Sequence, residues 1–556
     1  MSSKSHYPTT ELTKSNPMFS RIRATIESAF FANNVHEVTS VAEAYELAAS
    51  QPGIVVTDLP ILHTTELGLP RGAKQLVDNH GKVLGRTASA RHFADNPNED
   101  AEALAANLRE DIYTGRKQDY LSATVLVGLD ATFTVKAHIM MPRDQAFNLL
   151  AYLLNFRFFD DAAAEMYRTS VSYQEPDLYF YFDPNVQDAD HPNGFGVFDA
   201  PHNCAAVFGL RYFGELKKGT LTLAWALAHR NGYAACHGGE QSFHFKDRAD
   251  QVFAFYGLSG SGKSTLTHAT HGGKYDITVL HDDAFIISRI NGSSVALEPA
   301  YFDKTHDYPA GHHETKYYTT VMNCDVCLNE QNQKVLVTED LRNNNGRVIK
   351  SRYSSSHRVD YEPHPITALF WIMKDSSLPP VLKLADPTLA ATMGLTLATK
   401  RTSAENLPAG FDLNTLVIEP FADPFRAYPV AEDYTDFKEL FTKRQASCYV
   451  LNTDAFMGHS IPKELTMQIV EDIANETTAW QPFGKFSGVS YLPLTGYEVD
   501  FSDTHYQQTL INRMQDRLNW INHYNETHPQ TPLPDEAQTC LAQIIASLTT
   551  KPMSNR

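Results

Sequence analysis

The chain has 556 residues, with 47 Lys and Arg against 65 Asp and Glu, a formal net charge of −18 at pH 7. That length allows roughly two to four compact units, or one large lobed enzyme. Hydrophobic residues at 42% and aromatics at 11% supply sizeable cores, which excludes wholesale disorder. An acidic surface repels nucleic-acid phosphates and anionic lipids, so binding either through a broad basic face is excluded. An acidic protein that handles anions therefore needs local cationic pockets.

Six cysteines in so long a chain do not make a disulfide framework. Cys324-Asp325-Val326-Cys327 is a single CxxC with no second pair at zinc-site spacing. Residues 1–17 are polar, read as a loose arm, and lack the apolar core of a signal peptide. The most apolar stretches, such as 366–373, are far too short to span a bilayer. A cytoplasmic location is the expectation, with small molecules rather than nucleic acid or membrane as partners.

In chain order, residues 121–129 and 132–139 are strand-like around the turn Gly128-Leu129-Asp130. Phe133, Val135, Ala137 and Ile139 fall on one face at the strand period. After Pro142 a helix is predicted, because Phe147, Leu150, Ala151 and Leu154 recur at i, i+3, i+4 and i+7. Residues 221–228 are another apolar run, and Asn231-Gly232 turns the chain into 233–237. From Gln251 the pattern becomes strand, glycine-rich loop, helix, strand, which is the grammar of an α/β nucleotide fold. A boundary is therefore placed near residue 232, dividing 1–232 from 233–556. Thr531-Pro532-Leu533-Pro534 breaks the chain before a last predicted helix over 535–548.

Gly257-Leu258-Ser259-Gly260-Ser261-Gly262-Lys263-Ser264, followed by Thr265, fits G-x-x-x-x-G-K-[ST] at every fixed position. Glycines let backbone N–H groups turn inward around phosphate oxygens. Lys263 supplies a point charge for the β and γ oxygens, and Ser264 can ligate Mg²⁺. The apolar run Val252–Tyr256 leads into the loop, and 265–269 can continue as a helix whose positive end faces the same place. Downstream, 277–280 reads as a buried strand ending in His281-Asp282-Asp283. Carboxylates at the carboxyl end of a strand beside a phosphate loop are where Mg²⁺ is held.

Ahead of the loop stand Tyr212-Phe213-Gly214-Glu215-Leu216-Lys217-Lys218-Gly219 and then Ala235-Cys236-His237-Gly238-Gly239. In this order the chain resembles the ATP-dependent phosphoenolpyruvate carboxykinase family, with its Y-x-G-E-x-K-K-G, M-H, G-L-S-G-T-G-K-T-T and G-D-D segments. Asn345-Gly346-Arg347-Val348 resembles the family's N-T-R-V, and Gly85-Arg86-Thr87 the start of its G-R-S-P-K-D-K. The likeness is colinear over roughly residues 80 to 460. It implies an α/β, two-lobed carboxykinase-like fold: an N-terminal substrate lobe and a C-terminal P-loop mononucleotide-binding lobe that also holds metal. It also implies conversion of oxaloacetate and ATP to phosphoenolpyruvate, CO₂ and ADP. Position by position, Lys218, His237 and Asp283 would bind a catalytic Mn²⁺, with Lys218 neutral so as to lend a lone pair. Arg86 would grip a substrate carboxylate, with Tyr212 and Lys217 lining the same cavity, and Arg347 would face the transferring phosphate. Lys263, Ser264 and Asp282 would position the nucleotide and Mg²⁺. The family closes a lid over the reaction, for which 399–408 is the candidate.

The chain departs from the pattern in several places. The family's G-D-D-E-H-G-W becomes His281-Asp282-Asp283-Ala284-Phe285, and its H-C-S-A-N becomes His237-Gly238-Gly239-Glu240-Gln241. Its C-Y-A-K-T corresponds to Ala300-Tyr301-Phe302-Asp303-Lys304-Thr305, and G-K-R-I-S-I is reduced to Gly458-His459-Ser460-Ile461. Two other readings fit part of the residues. Leu280-His281-Asp282-Asp283-Ala284 resembles the D-D-A strand end of the HPr kinase group, whose members would phosphorylate a hydroxyl with an Asp as base. A family member that binds nucleotide or metal without turnover is the other.

Overall fold

The computed structural model describes residues 9–11, 13, 16, 19–79, 90–187, 189–258, 260–339, 346–401 and 410–549. Most of the expected N-terminal arm, Arg86 and most of the lid candidate lie outside these residues. The chain forms a mixed α/β structure divided into two compact units, Met1–Asn231 with Val295–Ser356 and Ser403–Ala409, and Gly232–Ser294 with His357–Thr402 and Gly410–Arg556. A single break after residue 232 was the expectation, yet Val295–Ser356 packs with the N-terminal residues. The reason is a sheet: Tyr318–Met322 pairs in parallel with Lys74–Asp78, and antiparallel with Arg347–Lys350.

In the first unit, the hairpin Tyr120–Asp130 and Phe133–Pro142 forms where alternating apolar residues predict it, in register from Tyr120↔Pro142 to Val127↔Val135 and shifted before Asp130↔Phe133. Phe133, Val135, Ala137 and Ile139 are all buried, so the alternation sets which face meets the core. The helix predicted after Pro142 runs Ala146–Asn155 and is buried on every side. The long helix Phe213–Arg230 carries the two-lysine segment. It lies close on the strand Leu178–Asp183 because position 219 is glycine; a Cβ there would come within 2.4 Å of the Phe180 ring.

In the second unit, the strand Tyr233–His244 is flanked on one side by Gln251–Tyr256, antiparallel. On its other side lie Asp276–His281 and Ala284–Ser288, one after the other, both antiparallel to it. Gln251–Tyr256, Ala368–Met373 and Ser447–Asn452 run parallel in succession. Their continuous apolar sequences are what strands buried on both faces require. Phe253, Phe255, Phe370, Leu451, Ile469 and Val470 share one core. The helix after the glycine loop is shorter than expected. It spans Lys263–Thr267 and stops at His268, and His271, Gly272 and Gly273 all follow at positive φ. The last helix spans Asp535–Thr549. No helix among the described residues is long and apolar enough to cross a membrane.

Candidate active site

The glycine loop leaves the strand Gln251–Tyr256 and enters the short helix at Gly262. Gly260 and Gly262 sit at φ +78° and +98°, the left-handed region that side chains with a Cβ rarely adopt. Gly257 answers a different need, since a Cβ there would lie 2.3 Å from Ser261 Oγ. Leu258 and Ser261 are buried, and the Ser261 carbonyl accepts a hydrogen bond from Thr453 Oγ1 at 2.9 Å. Lys263 is 8% exposed, while Ser264 and Thr265 face solvent at the helix start. Ser259 lies outside the described residues. Because the helix has only five residues, its dipole is small. The Ser261 amide is taken by the Leu258 carbonyl at 3.0 Å, so Lys263 is left as the principal attraction for an anion.

Asp282 and Asp283 form a two-residue bend between Asp276–His281 and Ala284–Ser288, opposite Gly238 and Gly239. Gly239 is required by the short helix; a Cβ there would lie 1.9 Å from Thr267 Oγ1. Asp283 Oδ1 stands 3.1 Å from His237 Nε2 and 3.9 Å from Lys263 Nζ. His237 Nδ1 lies 2.6 Å from the carbonyl oxygen of Ala422, which can only accept, so this nitrogen carries the proton. The Nε2 lone pair then points at a carboxylate oxygen, and two acceptors at that distance are reconciled by a second ring proton or by a cation. An imidazole nitrogen and a carboxylate oxygen, with the ring oriented by a carbonyl behind it, are a donor pair that suits a divalent metal. Among the described residues no cluster of three or more His, Cys, Asp and Glu side chains completes such a site.

Asp282 is held well below the usual carboxylate range. Burial opposes this, but the charge and hydrogen bond of His268, with Nε2 3.3 Å from Asp282 Oδ2, overcome it, and Lys263 adds to the effect. Asp282 thus stays ionised, ready to hold a cation or its water shell.

In the first unit, Tyr212 precedes the helix Phe213–Arg230, its ring 6.4 Å from that of Phe302. The adjacent lysines leave the helix in different directions. Lys217 is fully buried and its ammonium pairs with Glu298 at 2.9 Å, so the residue expected to line a substrate cavity is closed off from solvent. Lys218 is half-buried, with its nitrogen 5.6 Å from the centroid of Trp225. Arg347 is buried at the start of its strand, opposite Lys304, and donates from Nη1 to the Gly346 carbonyl at 3.0 Å. Sequence reasoning missed His268, whose carboxylate partner is known only once the fold closes. It also missed the Ala422 carbonyl, which no side-chain pattern announces.

A family model described as phosphoenolpyruvate carboxykinase matches residues 93–487, well over half of the chain. This chain belongs to the ATP-dependent phosphoenolpyruvate carboxykinase family. It is 26% identical over 292 residues to a phosphoenolpyruvate carboxykinase (ATP) of Aeropyrum pernix, covering 50% of this chain and 58% of that protein. It is also 38% identical over 61 residues to a glycosomal phosphoenolpyruvate carboxykinase (ATP) of Trypanosoma brucei brucei, covering 11% of this chain and 12% of that protein. The matched stretch thus spans little more than half the length of the first relative.

Proposed function

We propose that the chain converts oxaloacetate and ATP, reversibly, into phosphoenolpyruvate, CO₂ and ADP. Family membership over residues 93–487 supports the reaction. The observation that carries it is Asp283, one carboxylate oxygen shared between His237 and the loop lysine Lys263. A simple nucleotide binder needs the lysine but has no use for the histidine.

In this reading the loop is a phosphate cradle. Backbone amides of the loop and the Lys263 ammonium hold the β and γ phosphates, Ser264 and Asp282 place Mg²⁺, and Thr265 flanks the nucleotide. His237 and Asp283 take a second divalent ion, proposed as Mn²⁺, with Lys218 as the third ligand. When bound, that ion supplies Lewis-acid stabilisation to charge developing on oxygen. Arg347 presents a planar guanidinium to the phosphoryl group, where two parallel N–H donors match two oxygens. Arg86 grips a carboxylate of the acid, and Tyr212 orients it. Lys217 contributes by anchoring the helix that presents Lys218. Decarboxylation leaves an enolate that a stray proton would convert to pyruvate, so water must be excluded before the phosphoryl moves.

The test is formation of phosphoenolpyruvate from oxaloacetate with Mn²⁺, run against a panel of nucleotides and pyrophosphate. Product with ATP, abolished by Lys218→Met in a folded variant, is the expected result. Tight ATP binding with no product from any donor would refute the reaction. Full activity of the Lys218 variant would refute the metal assignment.

A further inference from the structure

The bend that carries Asp282 and Asp283 poses a hydrogen-bonding problem. Strand Tyr233–His244 pairs with His281 through Glu240 and with Ala284 through His237, and between those points the ladder is interrupted. Backbone N–H groups in such a gap are costly if left without acceptors. The family's segment begins with glycine at this point, which offers no side chain; this chain has His281.

His281 is completely buried, and its Nδ1 accepts from two amides, Asp283 N at 2.9 Å and Ala284 N at 3.1 Å. A ring nitrogen that accepts two donors carries no proton, so the tautomer is fixed with its proton on Nε2. On the other side of the same residue, Gly238 N donates to the Asp283 carbonyl at 3.1 Å. The backbone of Asp283 is thus held at both its N–H and its C=O, and its side chain is directed at His237 Nε2, 3.1 Å away.

The geometry points to His281 as a positioning residue: its Nδ1 clamps the Asp282–Asp283 bend and so presets the Asp283 carboxylate for the divalent ion. This rests on the proposed reading of His237 and Asp283 as metal ligands. His281 does not touch the ion; it acts through the two amides. Groups behind a ligand tune affinity by about 10–100-fold when lost, and that is the size of effect expected.

The test uses three substitutions in the full chain. His281→Asn keeps an acceptor near the place of Nδ1, His281→Gln carries its amide out to the place of Nε2, and His281→Leu removes the acceptor. Two measurements are made without substrate: binding of Mn²⁺ alone, followed by electron paramagnetic resonance, and hydrogen exchange of the peptide containing the amides of 283 and 284. The Asn variant should bind Mn²⁺ within about threefold of wild type and keep the amides protected. The Gln and Leu variants should bind about tenfold more weakly or worse and exchange faster. Unchanged exchange in the Gln variant, or Asn and Gln variants that behave alike, would overturn the clamp. If the Leu variant does not fold, the Asn and Gln pair decides. A wild-type chain that binds no Mn²⁺, or an Asp283→Asn variant that binds it normally, would sink the metal reading instead, and the exchange measurement would still judge the clamp.

Discussion

Burial sets the charge of Glu240 more than any neighbour does. The side chain lies fully inside the strand Tyr233–His244, two residues from the Gly238 amide that holds Asp283. Its pKa is pushed up to about 8, first by burial; the Ser294 hydroxyl works against the shift and the charge of Glu362 adds to it. In the unfolded chain the same group titrates near 4.5. Between those values the folded chain holds a proton that the unfolded chain has released. Stability therefore falls as pH rises through this window and levels off above about pH 8, with a slope of at most about 1.4 kcal/mol per pH unit. Glu240→Gln has nearly the same shape and no charge to lose. Its advantage over wild type in urea denaturation should be small at pH 5 and grow steadily to pH 8. Parallel stability curves for the two proteins across that range would show that Glu240 is not buried as a neutral acid.

The helix Phe213–Arg230 shows what a motif reveals about an element and what it hides. The segment from Tyr212 to Gly219 stands out only through its resemblance to the family's two-lysine motif, and nothing local tells Lys217 from Lys218. Lys217 is turned inward by Glu298, 81 residues away in a stretch that a single break after 232 would have assigned to the other unit. Glu298 also accepts from Asn155 Nδ2 at 2.7 Å, so one carboxylate ties the helix Ala146–Asn155 to the two-lysine helix. Removing one partner of a buried pair leaves the other charge without compensation, a cost of about 3–5 kcal/mol. Glu298→Gln should therefore destabilise the first unit by that order in urea denaturation, and Lys217→Met added to Glu298→Gln should recover most of it. A loss below about 1 kcal/mol in the single variant would mean the pair is not shielded from water. The pattern of the glycine loop was legible, by contrast, because it is set by consecutive residues, but the helix after it stops at Thr267, sooner than the run 265–269 suggested. The His237–Asp283 pair was legible only by resemblance, since it joins two strands that sequence alone does not align. His268, His281 and the Ala422 carbonyl were not legible as parts of the site.

At the scale of the molecule, the family match ends at residue 487, and beyond it the second unit carries two helices, Thr504–Thr527 and Asp535–Thr549. The second was predictable from the Pro-rich break before it; what the first does was not. Arg517 on that first helix is buried, and its guanidinium lies 3.0 Å from Asp375 Oδ2. Asp375 is itself fully buried just past the strand Ala368–Met373, with Ser377 Oγ donating to its other oxygen at 2.7 Å and Arg513 nearby at 3.8 Å. A lone carboxylate in that position would be costly, so the helix is the counterion of the sheet rather than an appendage to it. Arg517→Leu should lower the midpoint of the second unit's thermal transition by roughly 10 °C, the shift that a few kcal/mol produces in a domain of this size. Asp375→Asn placed on that background removes the stranded charge and should restore part of the loss. Calorimetry of both variants beside wild type decides the matter: a single variant that melts with wild type would show that the strand end needs no counterion from residues 504–527. Restoration by the double variant would locate the cost in the charge and not in the packing of the helix.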